Sequence, residues 1–290
     1  MTILENKVRN LIEVGYTDLS LAKLAEAHWD ALAILNEASK IAHDNALYAV
    51  WASEIPNKPL MIEKKNSHYI LKGTKMFCSG AGLVDHALIT TSEWLIDLDL
   101  TQIPNEKIQI IKGNWISNAF KDTNTATIVF NDVSVDEKNF IEKKEWYLQR
   151  IGFWKGALGP AACWGGGAAG LVDYGLKNSR KDPHTLAHLA AMESNVWAIR
   201  SFLSCAAKEM TMDSEPFFYQ KLALKVRHLI EQLCTDVLRR FARAYGPFPL
   251  ACESNIYQRY QELDLFLRQN HGERDLENLG RLLKSEENNI

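Results

Sequence analysis

The sequence predicts an α+β protein with a short N-terminal helical segment, a central β-barrel or sandwich and a C-terminal four-helix bundle. Two patterns support this fold class. Apolar residues recur at three- and four-residue intervals near both ends of the chain, whereas short runs of β-branched and aromatic residues fill its middle. With 290 residues, 47% of them apolar, the chain is long enough for two or three units with a substantial core. We place these units at residues 1–46, 47–144 and 145–290.

The N-terminal segment has the pattern of an amphipathic helix. Within residues 18–39, leucines recur on one face behind a helix cap at Asp18 or Ser20. The middle of the chain contains six runs that predict strands, at 47–53, 59–65, 68–78, 86–91, 107–112 and 125–135. Residues 64–67 are predicted to form the turn of a hairpin. So many short strands in so few residues indicate a barrel or sandwich.

The rest of the chain predicts long helices. They cover residues 157–180, 184–211, 215–244 and 255–283 and are interrupted at DPH, DSEP and YGPFP. Four long helices joined by short breaks are typical of a bundle. Three consecutive glycines at 165–167 follow no strand and precede no Lys-Ser/Thr pair, so they predict close helix packing rather than a phosphate loop.

Composition excludes several classes of partner. The formal charge of −3 and the absence of a dense Lys/Arg run predict no nucleic-acid or membrane partner. Five cysteines without CxxC spacing predict neither disulfides nor a zinc cluster. His184 and His188 stand one helical turn apart, but no third ligand is evident, so we expect no metal site. We expect a cytoplasmic protein.

The stretch GTKMFCSGAG, residues 73–82, places Phe77, Cys78 and Ser79 just before a glycine-rich corner. A nucleophile elbow, an ordinary hairpin and a strand end that holds a flat cofactor are the three explanations. The first fails, because Phe77 stands where the elbow needs glycine. The residues alone leave the other two open.

Two further groups are candidate functional residues. His271 and Glu273 flank Gly272, which breaks a helical pattern and could direct both titratable groups into a cleft; the alternative is that Gly272 merely caps a helix end. Arg180 ends a predicted helix, where a basic residue also complements the helix dipole.

The order of these elements and several motifs resemble the acyl-CoA dehydrogenase family of flavoproteins. WASE at 51–54 resembles the family's aromatic-V-T-E strand, and LKGTKMFCSGAGLVDHALITT at 71–91 resembles its N-G-x-K-x-[WF]-[IC]-[ST]-N-G strand pair. TIVFNDVSV at 127–135 resembles the strand that closes the barrel, and residues 156–180 resemble the first bundle helix with its terminal arginine.

The resemblance implies an FAD site. In the family, two strand ends present backbone amides and a hydroxyl to the flavin edge, and an aromatic ring lies beside the isoalloxazine. By position these are Trp51, Ala52 and Ser53 on one strand, and Phe77 and Ser79 on the other. Arg180 would reach the FAD pyrophosphate of a neighbouring subunit. The implied assembly is a homodimer or homotetramer.

The resemblance also implies three possible functions. The first is oxidation of a small-molecule substrate, an acyl thioester, with Glu273 as the base, FAD as hydride acceptor and an electron-transfer flavoprotein as a possible partner. The second is a flavin-dependent monooxygenase of the same fold, in which His271 matters more. The third is a non-catalytic scaffold that has lost tight flavin binding.

Three departures from the family pattern bear on these choices. Fewer than 50 residues precede the first strand, where the family has a longer helical region. IPNKPL follows Glu54 in place of the family's G-S-D turn. YGPFP at 245–249 replaces the Q-x-x-G-G-x-G loop that holds the adenosine part of FAD.

Overall fold

The computed structural model describes residues 2–55, 58–65, 68–212 and 215–287. Its helices are α1 Ile3–Thr17, α2 Leu19–Glu37, α3 Lys144–Gln149, α4 Ile151–Gly156, α5 Leu158–Lys177, α6 Pro183–Glu209, α7 Pro216–Tyr245, α8 Phe248–Cys252, α9 Ser254–Leu267 and α10 Glu273–Glu287. Its strands are β1 Tyr48–Trp51, β2 Met61–Lys65, β3 His68–Cys78, β4 His86–Thr90, β5 Trp94–Asp99, β6 Ile108–Ile111, β7 Ala126–Val135 and β8 Phe140–Lys143. The predicted α+β class is confirmed.

Contacts group the chain into two compact units. Residues 1–23 and 154–290 form one, here the helical unit, and residues 24–153 form the other, here the sheet unit. The three-part division at residues 46 and 144 stays a prediction.

In the helical unit, α1 packs closely on α5. Thr2 and Glu5 form a capping box that starts α1, because each side chain accepts a hydrogen bond from the backbone N–H of the other. A Cβ at Gly15 would lie 2.7 Å from the carbonyl oxygen of Cys163, so only glycine permits this approach. Gly166 of α5 likewise faces the backbone of α1. The glycine run thus serves helix packing, as the sequence predicted.

The long C-terminal helices follow the predicted pattern with one correction. α5 contacts α6, α7 and α9. The predicted helix at 255–283 is two helices, α9 and α10, separated at residues 268–272. α1 is a further helix ahead of the predicted one at 18–39, and Asp18 caps α2 by accepting the Leu21 N–H at 2.8 Å. The predicted break at Asp213 and Ser214 lies outside the described residues.

The sheet unit contains two four-stranded sheets. One has the order β1-β4-β5-β8, with β1 and β4 parallel, and the other has the order β2-β3-β7-β6. Their facing side chains share one core, which includes Ala49, Trp51, Leu71, Cys78, Ile89, Ile96, Ile128, Phe130 and Val133. A second core lies on the outer face of the first sheet and contains Ile34 and Leu35 of α2.

The predicted strands all form, and the prediction omitted two. β3 has the predicted bounds, whereas β5 and β8 were not predicted. Asn66 and Ser67 of the predicted hairpin turn lie outside the described residues; β2 and β3 on either side pair antiparallel. Among the described residues, no helix combines the length and apolar character needed to cross a membrane.

Candidate functional site

The end of β3 is distorted where the sequence predicted a site. Lys75 pairs with Ile128 and Cys78 with Ala126, so β3 carries one extra residue between these pairs. Phe77 in this bulge has φ +58, a left-handed conformation that a bulky aromatic residue rarely adopts. As a result its side chain is 59% exposed, although Cys78 beside it is fully buried. An exposed aromatic ring held by a strained backbone is a mark of a functional site.

The end of β1 is tied to this bulge. Trp51 is buried, and its indole Nε1–H donates to the carbonyl oxygen of Ser79 at 2.9 Å. Its ring therefore positions Ser79 rather than offering a free face. Ala52 is half-buried and Ser53 is exposed at the point where β1 ends. These predicted residues thus converge on one edge of the sheet unit.

A chain of hydroxyl groups leads to Ser79. Thr123 Oγ1 donates to the Phe120 carbonyl at 2.8 Å. Thr125 Oγ1 lies 2.7 Å from Thr123 Oγ1, and Ser79 Oγ lies 2.9 Å from Thr125 Oγ1. Because each hydroxyl has one hydrogen, the Thr123 bond to Phe120 is compatible with Thr125 donating to Thr123 and Ser79 donating to Thr125. With this orientation, Ser79 Oγ can accept a hydrogen bond from a bound group.

Lys75 is a buried residue of this edge that the sequence analysis missed. It is 2% exposed, and its ammonium donates to Thr90 O at 2.6 Å and Thr90 Oγ1 at 2.8 Å. Thr90 Oγ1 in turn donates to Ala52 O at 3.3 Å. Burial lowers the pKa of Lys75 to about 8, and the Glu54 carboxylate opposes this shift. The lysine thereby joins β3, β4 and the end of β1. The lysine of the N-G-x-K pattern was the available signal.

Cys78 is not a nucleophile at this site. Burial raises the pKa of its thiol to about 12, so the reactive thiolate is absent at neutral pH.

The remaining predicted residues belong to the helical unit. Arg180 is exposed after α5, and its guanidinium lies 3.5 Å from the Asp182 carboxylate. Gly272 has φ +51 and immediately precedes α10, so it does not cap the end of a helix. Glu273 is exposed in the first turn of α10, where a carboxylate also complements the helix dipole.

His271 stands just before α10. Its side chain is 57% exposed, and its Nδ1 lies 3.6 Å from the Asp275 carboxylate. This separation is longer than a hydrogen bond, so the contact does not fix which ring nitrogen carries the hydrogen.

No protein-family model and no curated protein matches the sequence. Several solved structures match its fold. KijD3 in complex with FMN and dTDP-3-amino-2,3,6-trideoxy-4-keto-3-methyl-D-glucose has a TM-score of 0.82 and 12% identity, over 99% of this chain and 80% of that one. Nitrososynthase from Micromonospora carbonacea var. africana has a TM-score of 0.81 and 12% identity, over 97% of this chain and 82% of that one.

A third match is TdsC, a dibenzothiophene monooxygenase from Paenibacillus sp. A11-2. Its complex with FMN and indole has a TM-score of 0.80 and 15% identity, over 97% of this chain and 83% of that one. These neighbours have the acyl-CoA dehydrogenase fold, and the chain shares it. The predicted resemblance is confirmed at the level of the fold.

Proposed function

We propose that this protein is a flavin-dependent monooxygenase that binds reduced flavin and inserts an oxygen atom from O2 into a small substrate. The observation that carries the proposal is the strained, exposed Phe77 beside the oriented Ser79, at the joined ends of β1 and β3. The fold adds support, because TdsC is a dibenzothiophene monooxygenase of this fold and its structure contains FMN.

The residues of the sheet unit fit a flavin. Phe77 offers an apolar ring, and the end of β1 offers backbone groups at Ala52 and Ser53. Trp51 and Lys75 hold that edge in place through Ser79 and Thr90. A bound flavin would supply either hydride acceptance or, when reduced, the activation of oxygen.

Ser79 favours the reduced state of the cofactor. Its Oγ can act as an acceptor when the hydroxyl chain directs its hydrogen toward Thr125. Reduced flavin carries an N–H at N5, whereas oxidised flavin carries an acceptor there. A site of this polarity therefore suits reduced flavin, which is the form that reacts with oxygen.

We propose FMN rather than the FAD expected from the sequence. FMN is present in the KijD3 and TdsC structures. The glycine-rich loop that would hold adenosine is replaced here by Gly246, with φ +68, and the short helix α8. Arg180 would bind the phosphate. Oxidation of an acyl thioester, with Glu273 as base, stays a prediction that none of these neighbours supports.

The test combines flavin binding with turnover. Purified protein is titrated anaerobically with oxidised and reduced FMN and FAD, using wild type, Ser79→Ala and the exposed control Ser134→Ala on β7. We expect reduced FMN to bind most tightly and Ser79→Ala to weaken it about 2- to 10-fold, the size of one net hydrogen bond. Protein that binds no flavin in either state supports the scaffold explanation instead.

Turnover is then measured with a flavin reductase, 18O2 and indole or dibenzothiophene as probe substrates. His271→Ala should abolish 18O incorporation or divert reduced flavin to peroxide, whereas Glu273→Gln and the surface control His184→Ala should retain it. Anaerobic bleaching of bound flavin by an acyl-CoA, lost in Glu273→Gln, would contradict the monooxygenase proposal and restore the dehydrogenase hypothesis.

A further inference from the structure

A cluster of two histidines and an aspartate lies in the sheet unit, apart from the residues assigned to the flavin. His43 stands in the segment between α2 and β1, His86 begins β4, and Asp97 lies in β5. One ring nitrogen of each histidine and one oxygen of Asp97 all lie within 4.8 Å of one another. Three separate elements therefore direct metal-ligating atoms to one point.

Hydrogen bonds and ring contacts hold the cluster together. The Tyr48 ring stacks on His86 at 4.9 Å between centroids, and the Tyr48 hydroxyl accepts the His43 backbone N–H at 2.9 Å. The His43 ring in turn stacks on His86 at 4.5 Å. His86 is 5% exposed, whereas His43 faces solvent. The cluster is therefore buried at His86 and accessible to solvent at His43.

His86 has a carboxylate at each of its ring nitrogens. Asp97 Oδ1 lies 2.9 Å from Nδ1, and Asp99 Oδ2 lies 3.8 Å from Nε2. A neutral imidazole has only one N–H, so it can face only one of these carboxylates as a donor. Among the ion pairs between described residues, neither aspartate has a lysine or arginine partner. Asp99 also accepts hydrogen bonds from Thr101, so Asp97 and Asp99 both direct carboxylate oxygens at His86 without a lysine or arginine of the described chain beside them.

We propose that His43, His86 and Asp97 bind one divalent transition-metal cation of the zinc class. Two imidazole nitrogens and one carboxylate oxygen suit Zn²⁺, Co²⁺ and Ni²⁺ and leave a position open to solvent. His86 binds through Nδ1, beside Asp97, while its Nε2–H faces Asp99, which is the usual arrangement of a metal-bound histidine and its orienting carboxylate.

Metal binding requires the His43 ring to leave its stacked position on His86, because two nearly parallel imidazoles cannot both direct a ring nitrogen at one cation. Tetrahedral ligands at about 2.0–2.1 Å from zinc lie about 3.3 Å apart. The exposed His43 can move toward the other two ligands, because it belongs to a loop between α2 and β1. The bound cation would then fasten this loop to β4 and β5. Such a clamp would stabilise the sheet unit without taking part in turnover.

The experiment uses full-length protein treated with a chelator and then titrated with Co²⁺ and Zn²⁺. Co²⁺ reports its ligands through its visible spectrum, and a thiolate band would reveal binding at the exposed Cys205 or Cys252. Thermal unfolding with and without Zn²⁺ measures how much the bound cation stabilises the folded protein. The variants are His43→Ala, Asp97→Asn and Asp99→Asn, with His188→Ala on α6 as the control for an unrelated two-histidine pair.

We expect one Co²⁺ per chain, visible bands without a thiolate band, and a higher unfolding temperature with Zn²⁺. His43→Ala and Asp97→Asn should weaken binding more than about 10-fold, and Asp99→Asn by about 10-fold, whereas His188→Ala should not change it. His43 is exposed, so its variant tests the site in a folded protein. Absence of stabilisation by Zn²⁺, or binding that both His43→Ala and Asp97→Asn leave intact, would overturn the proposal.

Discussion

Lys75 shows how one residue can set the geometry of the sheet edge. An ammonium group with 2% exposure is unfavourable unless hydrogen bonds replace the lost water. Here the carbonyl and hydroxyl of Thr90 accept these bonds, and Thr90 passes the constraint to Ala52 at the end of β1. A hydrophobic residue would fill the same space without connecting the strands. The ammonium therefore links β3 to β4 and, through Thr90, to the end of β1.

The depressed pKa of Lys75 predicts a pH dependence of folding stability. The pKa is about 8 in the folded protein and 10.5 normally, so between these values the unfolded chain binds more protons and stability rises with pH. Below pH 8 both states are protonated and the contribution is constant. Above pH 9 the raised pKa of Cys78 acts in the opposite direction, which leaves pH 8–9 as the informative window.

We expect wild-type protein to gain up to about 1 kcal/mol in the free energy of unfolding between pH 8 and 9. Lys75→Met should lose this rise, and Lys72→Met, an exposed change in the same strand, should keep it. Urea unfolding at half-unit pH intervals measures the difference. Parallel pH profiles for wild type and Lys75→Met would contradict a buried ammonium. Lower flavin affinity in Lys75→Met would further support its positioning role.

At the scale of elements, the sequence predicted most strands and helices but not the bulge in β3 or the break between α9 and α10. The bounds of β3 follow from its β-branched and aromatic residues. β5 was missed because Asp97 and Asp99 are poor strand residues; both face His86 on β4, and Asp99 also accepts the Thr101 N–H just after the strand. The predicted helix at 255–283 ran across residues 268–272, although this stretch, RQNHG, contains no apolar residue and ends at Gly272. The bulge at Phe77 could not be predicted either, because it depends on the register against β7.

The bulge predicts a specific effect of glycine at position 77. Alanine and glycine both remove the ring, but only alanine retains the strain of φ +58. The Phe77→Gly protein should therefore be more stable than the Phe77→Ala protein, by about 1 kcal/mol in the free energy of unfolding measured in urea. Both variants should bind flavin more weakly. Ser134 lies in β7 and does not have a positive φ, so there the alanine variant should be more stable than the glycine variant. Equal stability of the two Phe77 variants would exclude strain at the bulge.

At the scale of the whole molecule, the sequence order of the elements is not their grouping in space. α1 belongs to the helical unit, because Gly15 and Gly166 permit close packing with α5. Sequence periodicity finds a helix but does not identify the distant helix on which it packs. The predicted site residues are likewise divided between the two units. Phe77 and Ser79 belong to the sheet unit, whereas Arg180, His271 and Glu273 belong to the helical unit.

Because the predicted site residues are divided between two units, the last prediction concerns whether two chains together form the proposed flavin site. If Arg180 binds the flavin phosphate of a neighbouring subunit, flavin binding needs two chains, and each chain supplies what the other lacks. Arg180→Ala and Phe77→Asp should then each lose flavin, since both residues are exposed and their replacement leaves the cores intact. Co-refolded or co-expressed mixtures of the two variants should recover about one quarter of the sites in a random dimer. Flavin content per chain, together with sedimentation to establish the oligomer, provides the measurement.

If Arg180 acts within its own chain, every site in the mixture carries one of the two substitutions and no flavin binding is recovered. If Arg180→Ala alone retains wild-type flavin content, the arginine has no role in the site.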